Sequence, residues 1–95
     1  MVKHITYMWQ LGFGTGIFWF QTDDPQIADK LRRANNWKPI LIYCNKPRWI
    51  FEKSFHIPQD ARKKLQSLCK VSKLKKGSDK GEFYAETYAN KTKKN

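Results

Sequence analysis

Gly16-Ile17-Phe18-Trp19-Phe20 leads to Pro25-Gln26-Ile27-Ala28-Asp29-Lys30, and Trp49-Ile50-Phe51-Glu52-Lys53 leads to Pro58-Gln59-Asp60-Ala61-Arg62-Lys63. Shifted by 33 residues without a gap, Ile17/Ile50, Phe18/Phe51, Pro25/Pro58, Gln26/Gln59, Ala28/Ala61 and Lys30/Lys63 coincide. Each copy reads as a strand followed by a helix that opens on proline and carries a basic outer face. The pattern predicts a duplicated unit.

Residues 4–11 supply the strand before the first copy. Ile5, Tyr7, Trp9 and Leu11 alternate with Thr6, Met8 and Gln10, and a period of two with aromatic enrichment is a strand signal. The glycines of 12–16 form a turn, which makes residues 17–22 antiparallel to it. Asp24-Pro25 then starts a helix, because aspartate caps free amide groups and proline suits the first helical position. Ile27, Leu31 and Ala34 stand at i, i+4 and i+7, the spacing of a buried stripe. Asn35-Asn36 ends that helix. Residues 40–44 and 48–55 form the second strand pair, and Pro58 opens a helix with the stripe Ala61, Leu65 and Leu68.

These elements predict an α+β fold of order ββαββα. A four-stranded antiparallel sheet would carry both helices on one face, with a pseudo-twofold axis between the copies. Residues 1–68 form the domain, as repeats 4–36 and 37–68. Residues 69–95 read as a basic extension with a hairpin over 70–88 and a disordered tail over 89–95. On the sheet, Tyr7, Trp9, Phe18, Phe20, Ile40, Ile42 and Phe51 are expected to face the helices. Met8, Trp19, Leu41 and Tyr43 are expected on the opposite side.

The chain has 95 residues, 19 Lys and Arg against 8 Asp and Glu, and a formal net charge of +11. Such an excess opposes compaction by self-repulsion and favours an anionic partner. Nucleic acid fits best, and composition leaves DNA and RNA equal. The phosphate-contacting candidates are Lys30, Arg32 and Arg33 on the first helix and Arg62, Lys63 and Lys64 on the second. Arg48 and Lys53 flank the sheet, and Lys73, Lys75 and Lys76 belong to the extension. Trp19 and Tyr43 are candidates for stacking on unpaired bases. Small size and basic charge suit a protein of a virus or mobile element.

Two other classes compete with this reading. An inhibitor or assembly factor would dock on a protein, or on a second copy of the chain, through the aromatic sheet face. A small ribonuclease-type toxin would need a catalytic cluster. The histidines His4 and His56 have no acid at a telling spacing, Cys44 and Cys69 show no redox or metal-ligand pattern, and the glycine run lacks the lysine and hydroxyl pair of a phosphate-binding loop. The sequence therefore predicts no enzyme, catalytic residue, cofactor or metal. Two cysteines and no evident secretion signal predict an intracellular, cytoplasmic protein. The apolar run Ile17–Phe20 is too short for a membrane span.

Overall fold

The computed structural model describes residues 2–12, 14–43, 48–77 and 83–89; the side chains of 41–43 and 89 lie outside this description. The described elements are β1 (Val2–Gln10), β2 (Ile17–Thr22), α1 (Pro25–Arg33), β3 (Lys38–Tyr43), β4 (Arg48–Ser54), α2 (Pro58–Cys69), β5 (Lys75–Lys76) and β6 (Phe83–Ala89). They form an α+β fold with one antiparallel sheet in the order β3-β4-β2-β1-β6-β5.

The sheet has six strands where the sequence pattern predicted four. The physical reason is the free edge of β1. β6 pairs along it from Val2↔Ala89 to Met8↔Phe83, which satisfies backbone groups that an edge would expose. The C-terminal hairpin thus joins the sheet, and Ala89, expected in the tail, belongs to β6.

Both helices bury their stripes on one sheet face. Ile27, Ala28 and Leu31 of α1 and Ala61, Leu65 and Leu68 of α2 share a cluster with Met8, Phe18, Phe20, Phe51 and Ala85. Phe20 is the centre: its ring meets Trp37 edge-on with centroids 4.8 Å apart, a favoured aromatic geometry. Leu31 and Leu65 are 1% and 0% exposed, and each such side chain contributes about 1.5–3 kcal/mol by leaving water.

The two faces of β1 are reversed from the expected arrangement. Met8 is buried under the helices, and the register Met8↔Phe20 and Tyr7↔Gln21 places Tyr7 and Trp9 on the other face. The deciding residues are Thr6 and Thr22, both fully buried. Their hydroxyl oxygens lie 2.8 Å apart, and Thr22 Oγ1 accepts from the Asp24 backbone N–H at 3.0 Å. Two buried hydroxyls are inexpensive once each has a partner. The polar-looking side of β1 is therefore the core side. Leu41 and Tyr43 sit in β3, with side chains outside the described residues.

The helices end differently. Asp24 accepts from Gln26 N–H at 2.9 Å and caps α1. Ile57 precedes α2 with no side-chain cap, and Lys70 closes α2 in the left-handed conformation, φ 55°.

At the β1–β2 turn, Gly16 has φ +73°, and a Cβ there would lie 2.9 Å from the Phe55 carbonyl oxygen. Gly16→Ala should cost about 1–2 kcal/mol from backbone strain alone, read as a lower urea midpoint; an unchanged midpoint would contradict the turn geometry. Thr22→Val keeps the shape and removes the hydroxyl. It should cost about 1–3 kcal/mol, because the Asp24 N–H loses its acceptor and the Thr6 hydroxyl loses one of its partners.

Candidate nucleic-acid interface

Gln59, Arg62, Lys63 and Gln66 stand at i, i+3, i+4 and i+7 of α2 and so share one helix face. That face borders the buried stripe and looks toward the C-terminal strands. Together with Lys73, Leu74 and Phe83 these residues line an open groove of about 290 Å³. Each part is held in place. The Arg62 guanidinium lies over the Phe83 ring at 5.4 Å, a cation–π contact. Gln66 Nε2 donates to the Ser72 carbonyl at 2.8 Å, which ties the segment carrying Lys73 to α2. Leu74 and Phe83 pack against the core. Among the described residues lining the groove there are three cations and no carboxylate.

The other predicted cations are dispersed. Arg32 and Arg33 are exposed on α1, and both bond Asp29, Arg32 at 3.1 Å. Hydrogen bonds from Arg33, then Arg32, hold the Asp29 carboxyl below its ordinary range. Asp29 therefore stays ionised at neutral pH; the pairing is present above the ordinary carboxylate pKa and is lost as pH falls through the lowered value. Lys30 lines a separate cavity of about 510 Å³ between the helices and β6, with Asp24, Cys69 and Glu86. Lys53 Nζ lies 4.8 Å from the Phe55 ring centroid and is in register with the buried Phe18, so it stands on the helix side of the sheet. Arg48 is half-buried and in register with Tyr43. Lys64 is half-buried on α2. Lys75 reaches Glu86 at 3.5 Å, while Lys76 is in register with Phe83.

Among the described residues, no helix or strand covers the second sheet face. Trp9 and Trp19 meet there edge-on at 6.1 Å, and Tyr7 and Tyr84 pack at 5.5 Å. The Trp19 indole N–H donates to Glu52 at 2.9 Å. Glu86, on the same face, also contacts Lys3 at 3.8 Å.

Sequence reasoning missed Phe83, Gln66 and the neutralising role of Asp29. The arginines at i+3 and i+4 from Asp29 were a readable signal; the groove was not, because Lys73 and Phe83 reach it through tertiary packing. His4 also has an acid beside it: its Nδ1 lies 3.5 Å from Asp23, which accepts from Ile5 N–H at 2.9 Å. Burial, opposed by a hydrogen bond with Thr6, pushes the Cys69 thiol up to about 11. Among the described residues, no group of three His, Cys, Asp or Glu side chains is arranged to hold a metal. None of the described helices is long and apolar enough to cross a membrane.

No known protein family, curated protein or solved structure matches the chain.

Asp29→Asn should release Arg32 and Arg33. Polyanion affinity should rise at low salt, with the salt slope steeper by roughly 0.7–0.9 for each additional phosphate neutralised. Titration with heparin or an oligonucleotide at several salt concentrations checks this.

Proposed function

We propose that the protein is a non-enzymatic nucleic-acid-binding protein whose main contact surface is the α2 side of the helix layer. The observation that carries this reading is the convergence of Arg62, Lys63 and Lys73 on one groove, with no carboxylate among its described lining residues. Flexible cations on a rigid helix suit phosphate oxygens, which supply most non-specific nucleic-acid affinity. Lys76 adds charge on the same side by strand alternation. The C-terminal lysines Lys91, Lys93 and Lys94 extend the basic run in sequence.

Duplication of the ββα unit belongs to this reading. The order β3-β4-β2-β1 and the β2–β4 register support it. A shift of 33 residues turns the pair Phe18↔Lys53 into Phe20↔Phe51, and leaves Trp19↔Glu52 on itself. On this reading the copies have diverged: Asp29 pairs with the arginines of α1, whereas α2 faces a groove with no carboxylate among its described lining residues. A small basic protein of a virus or mobile element, acting inside the cell, remains the setting that charge and size favour.

One observation favours a second reading. The Trp9–Trp19 and Tyr7–Tyr84 face is aromatic and half-exposed, and neither helix packs on it. Apolar surface of this kind suits an interaction site, and the described carboxylates Glu52 and Glu86 are engaged there, Glu52 by Trp19 and Glu86 by Lys3 and Lys75. A protein partner or second copy of the chain would dock on it.

Arg62→Gln, Lys63→Gln and Lys73→Gln combined should preserve the fold, since glutamine is a good helix former. Binding to DNA and RNA should weaken, with a salt slope lower by roughly 0.7–0.9 for each phosphate no longer neutralised. If the variant binds like the parent while Trp9→Ala with Trp19→Ala abolishes binding or protein capture, the sheet face is the functional surface.

A further inference from the structure

Resting on the nucleic-acid reading, we infer that the groove between α2 and the C-terminal strands receives the phosphorylated end of a strand, a terminal phosphomonoester, in preference to an internal phosphodiester. Three features of the groove point there.

The first is size. A groove of about 290 Å³ is at the lower end of small-ligand sites. That is the scale of one small ligand, such as a single terminal nucleotide. The second is charge. Among the described lining residues, three are cations and none is an acid. An internal phosphate carries one negative charge, whereas a terminal phosphomonoester carries about −1.5 to −2 at neutral pH, as phosphorylated side chains do. The end group matches the three cations more closely and offers three acceptor oxygens.

The third is the pose of Arg62. Its guanidinium carbon lies over the Phe83 ring, 5.4 Å from the centroid, which anchors the side chain at the groove. The planar fork of N–H donors suits two oxygens of one phosphate together. Lys63 and Lys73 then act as movable point charges on the remaining oxygen. Leu74 and Phe83 supply an apolar floor for the terminal sugar or base.

The test compares one short single strand with four ends: 5′-phosphate, 3′-phosphate, hydroxyl at both ends, and a methyl-capped phosphate that is a diester. Fluorescence anisotropy with the full chain measures each. One or both monophosphate ends should bind roughly tenfold or more tighter than the hydroxyl and diester ends, as expected for charge-assisted hydrogen bonds. Inorganic phosphate should compete with that increment. Arg62→Lys keeps the charge and loses the fork, and should remove most of the preference; Lys73→Gln, a substitution outside the helices, should reduce it with circular dichroism unchanged. Equal binding of all four ends would overturn this inference while leaving strand binding intact. A full preference in both variants would overturn it too, since the end would then bind elsewhere. Failure of every strand to bind would overturn the nucleic-acid reading itself.

Discussion

The buried carboxylate of Asp24 is the tie on which the arrangement of elements depends. It accepts from the Gln26 backbone N–H at 2.9 Å and from the Thr87 hydroxyl at 2.6 Å. Its own N–H reaches Thr22, which contacts Thr6. One residue thereby joins the first helix to β1, β2 and β6. A carboxylate at 6% exposure is costly without partners, so each donor is needed. The tie explains why threonines stand at the buried positions Thr6 and Thr22 and at the half-buried Thr87, and it adds to the edge pairing that holds β6 in the sheet.

Local chemistry was legible in the sequence and long-range chemistry was not. Asp24-Pro25 marked the start of α1, the glycines marked the turn, and the i, i+4, i+7 spacings marked both stripes, because each signal lies within a few residues. The faces of β1 were misread because Tyr7 and Trp9 are larger and more apolar than Thr6 and Met8. Only the cross-strand register, which sets Thr6 against Thr22, shows that the threonines satisfy each other. The placement of β6 depends on a strand some eighty residues earlier in the chain. Its own alternation, Phe83, Ala85 and Thr87, signals a strand without naming its neighbour.

The same division applies to the site. The cations of α2 were readable from helix spacing, and so was the Asp29 pairing that sets α1 apart. Net charge alone treats Arg33 and Lys63 as equivalents. Their surroundings separate them: one is bound to an acid on its own helix, and the other borders an apolar floor with cations beside it. Lys75, equally basic in composition, spends its charge on Glu86 across the β5–β6 pair. A basic sequence thus resolves into a focused positive groove on one side and a largely neutralised aromatic face on the other.

The pairing of Val2 with Ala89 also bears on how the chain reaches this state. A growing polypeptide emerges with β1 first and β6 last. Until Thr87 leaves the ribosome, the Asp24 carboxylate lacks its Thr87 donor, and β1 presents a bare edge. Contacts that close nearly the whole chain length are slow to form, and an open strand edge invites pairing with another molecule. Removal of β6 would leave an incomplete sheet, with the β1 hydrogen-bonding edge available to any extended neighbour.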